Sequence, residues 1–157
     1  GEYYCSLFSG LYGLRTVCLR YFNVYGPRQD PHSDYAAVIP RFIHRVKNGQ
    51  PPVIYGDGEQ TRDFIFVRDV VRMNVRAMEC EAEGVYNVAS GKETSVNELA
   101  QIVLSLSGIS MTPHHEKERH GEVRYSVADI LKAIKDFGIT PEYDLSRGLS
   151  EMITPDT

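Results

Sequence analysis

Several features are missing from this sequence, and each absence excludes a class of protein. No apolar run in the 157 residues approaches the roughly 20 needed to cross a bilayer, so no membrane span is expected. There is no basic excess: seventeen Lys plus Arg against twenty-one Asp plus Glu leave a net charge of −4. That balance argues against a general nucleic-acid binder, which carries a basic face. A few placed arginines can still bind a phosphate inside an acidic protein. Cysteine is scarce: Cys5, Cys18 and Cys80 stand far apart with no CxxC pair, so reduced, partly buried thiols are expected rather than a disulfide scaffold or a metal site. Free thiols fit a reducing compartment, and a cytoplasmic location is expected. Repeats and low-complexity stretches are absent too. An initiator Met is also missing, because the chain starts at Gly1 inside a helical pattern. The length suffices for one domain that buries roughly 70% of its unfolded surface, yet it reads as part of a longer protein.

The common catalytic signatures are absent as well. Gly56-Asp57-Gly58 is followed by Glu59-Gln60-Thr61, so no GxGxxG phosphate loop is made. There is no Walker-type GKS or GKT, no GxSxG and no HExxH. His114, His115 and His120 with Glu116, Glu118 and Glu122 match no ligand spacing. A charged surface loop is expected there, without a metal.

What is present is an alternation of helices and strands. Tyr4, Leu7, Phe8, Leu11 and Tyr12 recur at helical spacing over residues 1–13, with Gly13 as the stop. Residues 15–20 read as a strand, followed by a turn-rich segment, NVYGPRQDPHSDY. A helix is predicted over residues 38–48, then a short strand VIY, the loop GDGEQTRD and a strand over 64–67. Residues 68–80 read as a helix with Val71, Val75 and Met78 inward. A strand over 85–88 precedes the capping box Ser95-x-x-Glu98, which opens a helix striped by Leu99, Ile102, Val103 and Leu106. A strand near 110–114 and helices near 129–136 and 145–153 complete the chain. The expected class is α/β with a parallel or mixed sheet.

Polar residues cluster just after strands. In Tyr21-Phe22-Asn23-Val24-Tyr25-Gly26-Pro27-Arg28 a strand ends in aromatics, an amide and a turn. Open α/β sheets bind ligands at that edge, although a Gly-Pro turn with core aromatics and a capping Asn explains the same residues. In GDGEQTRD a glycine-flexed loop ends in Arg62, whose forked guanidinium suits either solvent or phosphate. Arg119-His120-Gly121-Glu122 reads by default as a surface turn.

Taken in order, LRYFNVYGPRQDP (19–31), YAAVIPRF (35–42), VIYGDGEQTRDFIFVRDVV (53–71), GVYNVASGKETSVNEL (84–99) and RHGEVRYSVADILKA (119–133) resemble the C-terminal portion of the extended short-chain dehydrogenase/reductases, specifically the nucleotide-sugar epimerases. The nearest resemblance within them is to UDP-glucose/UDP-N-acetylglucosamine 4-epimerases. The resemblance implies the end of an NAD-binding Rossmann-type domain over residues 1–30 and a smaller mixed α/β substrate domain over 31–157. Tyr21 and Phe22 would sit by the nicotinamide ring of NAD, and Asn23 would bind the diphosphate of a UDP-sugar. Val38, Ile39, Val53 and Tyr55 would enclose uracil and ribose. Arg62 and Arg119 would clamp the diphosphate, and Glu122, where the family more often has Asp, would accept the ribose hydroxyls. Ser126, at a position that is large in strict UDP-glucose epimerases, would leave room for an N-acetyl group.

The family's glycine-rich NAD fingerprint, its catalytic Ser/Thr and its YxxxK pair are not in these residues. The resemblance therefore implies an NAD-dependent 4-epimerase acting through a 4-keto intermediate as a whole protein. This portion would carry no catalytic residue and no turnover of its own. A homodimer built on the first helix is implied in the same way. A nucleotide-sugar decarboxylase or 4,6-dehydratase of the same family, and a non-catalytic sugar-nucleotide binding module, remain as alternatives.

Overall fold

In the computed structural model, residues 1–32 and 37–154 are described. Tyr35 and Ala36 of the YAAVIPRF segment lie outside the described residues. The first helix, α1 (Glu2–Tyr12), ends where Gly13 turns left-handed at φ 65° and returns its N–H to the Ser9 carbonyl. It leads into β1 (Val17–Tyr21), which pairs in parallel with β6 (Gly84–Val88), Val17 opposite Gly84 and Tyr21 opposite Val88. At the end of β1 the chain changes partners. The Phe22 N–H still donates to Val88, but the Asn23 N–H donates to Asp63. The following β2 (Asn23–Tyr25) thereby pairs in parallel with β5 (Phe64–Phe66). A strand thus begins inside the segment expected to be a turn, because β5 offers a free edge beside it.

Between β2 and β5 lie α2 (Val38–Lys47), β3 (Val53–Tyr55) and the two-residue β4 (Thr61–Arg62). After β5 come α3 (Val67–Glu79), β6, β7 (Thr94–Ser95) and α4 (Val96–Leu106). The chain closes with β8 (His114–Glu116), α5 (Leu131–Phe137) and α6 (Leu145–Ile153). β3 and β8 pair in parallel, while β4 and β7 pair antiparallel. The class is therefore α/β with parallel pairing, as expected. Arg62 sits in a strand rather than a loop. The strand expected near 110–114 instead begins at His114, so His114, His115 and Glu116 form an exposed strand on the edge of β3 rather than a loop.

Two apolar cores result. One gathers Ile39, Phe42 and Val46 of α2, Ile54, Phe64 and Phe66 of the strands, and Leu99 and Val103 of α4. The other lies between the β1–β6 pair and α3 and α5, with Val70, Met73, Tyr86, Val88 and Phe137. The phase of α3 differs from the expected one. Asp69, 1% exposed, accepts the Glu142 and Tyr143 N–H groups and a bond from Arg72. Fixing Asp69 inward turns Val70 and Met73 to the core and leaves Val71, Val75 and Met78 facing out. In α4, Ala100 and Leu104 join Leu99 and Val103 in the core, while Leu106 is exposed. The Ser95 hydroxyl accepts the Glu98 N–H, as the capping box predicts. All three cysteines are free and half-buried.

Candidate functional site

A cleft of about 650 Å³ opens where the β2–β5 pair, α2 and the β3–β8 pair converge. Its floor carries Tyr25 and Phe64, held by the parallel pairing of β2 with β5. One wall is α2, which presents Val38, Arg41, Phe42 and Arg45 at i, i+3, i+4 and i+7, one helical face. The opposite wall is Val53 and Tyr55 of β3, with Arg119 and Glu122 beyond it. Asn23 enters just past the carboxyl end of β1, the edge at which parallel sheets receive ligands.

The cleft brings together Asn23, Val38, Ile39, Val53, Tyr55, Arg62, Arg119 and Glu122, eight of the nine expected substrate residues. Ser126 is half-buried and does not line it, and neither do Tyr21 and Phe22. Tyr21 is half exposed, and its hydroxyl donates to Asn74 at 2.8 Å.

The charged groups are partly engaged with one another. Arg62 donates to its own Thr61 carbonyl at 2.7 Å, to the Val123 carbonyl at 2.6 Å and to the Glu122 carboxylate at 3.0 Å. Arg62 and Glu122, expected to serve different parts of a ligand, are thus an ion pair here. Arg119 lays its guanidinium over the Tyr55 ring at 3.7 Å from the centroid, a cation–π arrangement that leaves its N–H edge available. Beside the cleft, Arg124 grips Asp57 with two bonds of 2.7 Å. This bond to Arg124 and one from the Glu59 N–H hold the Asp57 carboxyl down to about 2. The same pair pushes the Arg124 guanidinium above its ordinary value. Tyr25 is pushed well up by burial, so its hydroxyl stays protonated in the floor.

Several contributors were not singled out from the sequence. Gln60 is buried and donates to the Tyr55 carbonyl at 2.9 Å, fixing β3 against the loop before β4. Asp63, fully buried, accepts from Ser90 N–H and hydroxyl, Gly91 N–H and Ala128 N–H, tying β5 to the segments that flank the cleft. Gly58 has φ 77°, a left-handed conformation that glycine adopts without strain, where the loop meets the Asn97 side chain of α4. The signal for Arg41, Phe42 and Arg45 was their helical spacing from Val38. The buried carboxylates carry no comparable signal.

Among the described residues, no group of three His, Cys, Asp or Glu is arranged to hold a metal ion, and no helix is long and apolar enough to cross a membrane.

The NAD dependent epimerase/dehydratase family matches residues 1–89. The chain is 44% identical over 153 residues to the putative UDP-glucose 4-epimerase of Methanocaldococcus jannaschii, covering 98% of this chain and 49% of that protein. It is 37% identical over 150 residues to the UDP-N-acetyl-alpha-D-glucosaminuronate decarboxylase of Bacillus cytotoxicus, covering 91% of this chain and 46% of that one. Among solved structures, the UDP-N-acetylglucosamine 4-epimerase from Methanobrevibacter ruminantium M1, in complex with UDP-N-acetylmuramic acid, superimposes with a TM-score of 0.92 at 43% identity, over 97% of this chain and 49% of that one. The chain spans about half the length of these proteins.

Proposed function

The chain belongs to the NAD dependent epimerase/dehydratase family, and from that premise and the lining of the cleft we propose that it forms the nucleotide-sugar-binding part of a UDP-sugar 4-epimerase. The observation that carries the reading is an apolar slot between Val38, Ile39, Val53 and Tyr55 that runs into two arginines, Arg62 and Arg119. A base and ribose have apolar faces to bury, and a diphosphate calls for forked cations at one end. Asn23 adds an amide donor beside the arginines. Glu122 accepts ribose hydroxyls, sharing its carboxylate with Arg62. Holding the nucleotide firmly at a distance from the reacting carbon fixes position while leaving the sugar free to turn.

In this reading residues 1–30 end a Rossmann-type domain and residues 31–157 form the substrate domain, with β6 returning to pair with β1. Tyr21 and Phe22, at the carboxyl end of β1, offer flat apolar faces that fit a nicotinamide ring. NAD, when bound, supplies the hydride acceptance and return that the reaction needs. The proton at the sugar C4 hydroxyl is handled by a Tyr of a YxxxK pair outside these 157 residues. The whole protein works in the cytoplasm as a homodimer assembled on α1, and Ser126, outside the nucleotide cleft, leaves room for acetamido sugars at the sugar end of the site. A decarboxylase of the same family is the second reading, favoured by the 37% identity to such an enzyme. It uses the same nucleotide grip and differs in its acid–base residues.

Calorimetric titration with UDP, UDP-N-acetylglucosamine and uridine tests the grip. UDP should bind at least about tenfold tighter than uridine, and Arg62→Ala or Arg119→Ala should each remove about tenfold. Equal affinity for UDP and uridine would overturn the reading.

A further inference from the structure

The reading above uses two of the arginines in the cleft, but among the described residues four line it: Arg41, Arg45, Arg62 and Arg119, against two glutamates, Glu116 and Glu122. The described lining is therefore locally positive inside a chain whose net charge is −4. The source of the imbalance is α2. Its residues 38–47 contain Arg41, His44, Arg45 and Lys47 and no acid at all. Three of the four cleft arginines are engaged. Arg62 is bound to Glu122 and two carbonyls, Arg119 lies on Tyr55, and Arg45 donates from Nε to the Pro51 carbonyl at 2.7 Å. Arg41 is half-buried in the wall, and its guanidinium makes no hydrogen bond or ion pair with any described residue.

Resting on the nucleotide-sugar reading of the cleft, we propose that the acid-free face of α2, with Arg41 at its centre, captures the anionic ligand and sets its rate of entry rather than its residence time. The argument is one of distance and screening. At physiological salt the Debye length is about 8 Å, so the chain's remote negative charges are largely screened from an approaching diphosphate. Cations in a cleft with low-dielectric walls are screened less, and the concavity focuses their field outward. Once the diphosphate sits between Arg62 and Arg119, Arg41 stands one helical turn beyond Val38, on the face that meets the base rather than the phosphates. A charge that acts during approach but has no anion opposite it in the bound state changes on-rate and salt dependence, not off-rate.

Stopped-flow mixing of the whole protein with UDP, followed by tyrosine fluorescence, reads both rates, because Tyr55 lies in the cleft. Arg41→Gln should lower the on-rate about three- to tenfold at low salt, leave the off-rate within about twofold, and flatten the dependence of on-rate on ionic strength. Arg41→Lys, which keeps the charge, should retain most of the wild-type on-rate. Identical on-rates and salt slopes in wild type and Arg41→Gln would overturn the proposal while leaving the nucleotide reading intact. An effect confined to the off-rate would also overturn it, by making Arg41 a ligand of the bound state. A wild-type protein that does not bind UDP at all would overturn the proposal and the nucleotide reading together.

Discussion

Helices α1 and α2 are nearly the same length, 11 and 10 residues, and behave in opposite ways. α2 buries Ile39, Pro40, Phe42, Ile43 and Val46, whereas α1 buries nothing. Tyr3 is 93% exposed and Leu11 is 65% exposed. The contrast extends to the regions they belong to. The cleft region closes a core around Leu99, Val103 and Val46, each 0% exposed. The β1–β6 region closes a core on α3 and α5 but leaves the aromatic stripe of α1 and the outer face of α3 uncovered. The cleft walls α2 and β3 thus belong to the part of the molecule built around the first core, through Ile39, Phe42 and Ile54.

The two regions are joined by buried carboxylates, and the largest expected effect comes from cutting one. Asp63→Ala strands three backbone N–H groups and the Ser90 hydroxyl in a closed site. A loss of about 4 kcal/mol in urea unfolding is expected, with Asp63→Asn retaining part of it. Because Asp63 ties β5 of one core to the segments around Ser90 and Ala128, Asp63→Ala should also separate the unfolding of the two cores. A loss below about 1 kcal/mol would mean that the joint lies elsewhere.

Within the cleft region, Leu99→Ala should cost about 3 kcal/mol, since a fully buried leucine leaves both its transfer energy and a cavity behind. That value sets the scale for the same truncation made on the other side of the molecule.

The class of the fold and most of its elements were legible in the sequence, because periodicity and stop signals are local. Gly13, the capping Ser95 and the VIY strand all fall where their residue types require. The phase of α3 was not legible: Val71, Val75 and Met78 form as good an apolar stripe as Val70 and Met73. The choice between them is made by Asp69 meeting the N–H groups of Glu142 and Tyr143, more than 70 residues away. The short strands β2 and β4 were hidden for the same reason, since each exists only through a distant partner. At the cleft, motif order identified eight lining residues, but the engagement of Arg62 with Glu122 depends on side-chain reach across the fold. Spacing along the chain does not encode it.

A smaller effect separates the rim of the cleft region from its core. Asp57 and Arg124 are exposed, and their pair contributes through geometry more than through energy. The folded carboxyl titrates near 2 against an ordinary 3.8. The pair's stabilising contribution is therefore complete above about pH 4 and disappears as the pH falls from there through 2. Carbon-detected NMR titration of the Asp57 side chain should give a midpoint near 2, and Arg124→Gln should return it towards 3.8. A midpoint unchanged by that substitution would assign the shift to the Glu59 N–H instead.

The smallest expected effect is the one that tests the comparison itself. Leu7 and Leu11 lie on α1 at 52% and 65% exposure, so truncation removes little apolar surface from contact and opens no cavity. Leu7→Ala and Leu11→Ala should each change unfolding free energy by less than about 0.5 kcal/mol, against the several expected for the same chemistry at Leu99. Urea unfolding of all three variants at low and high protein concentration gives the comparison directly. If α1 is covered by a second copy of the chain, as the homodimer reading holds, the α1 variants should become costly only as concentration rises, because association stabilises by mass action. Losses above about 1.5 kcal/mol that do not depend on concentration would place these leucines in a core of a single chain.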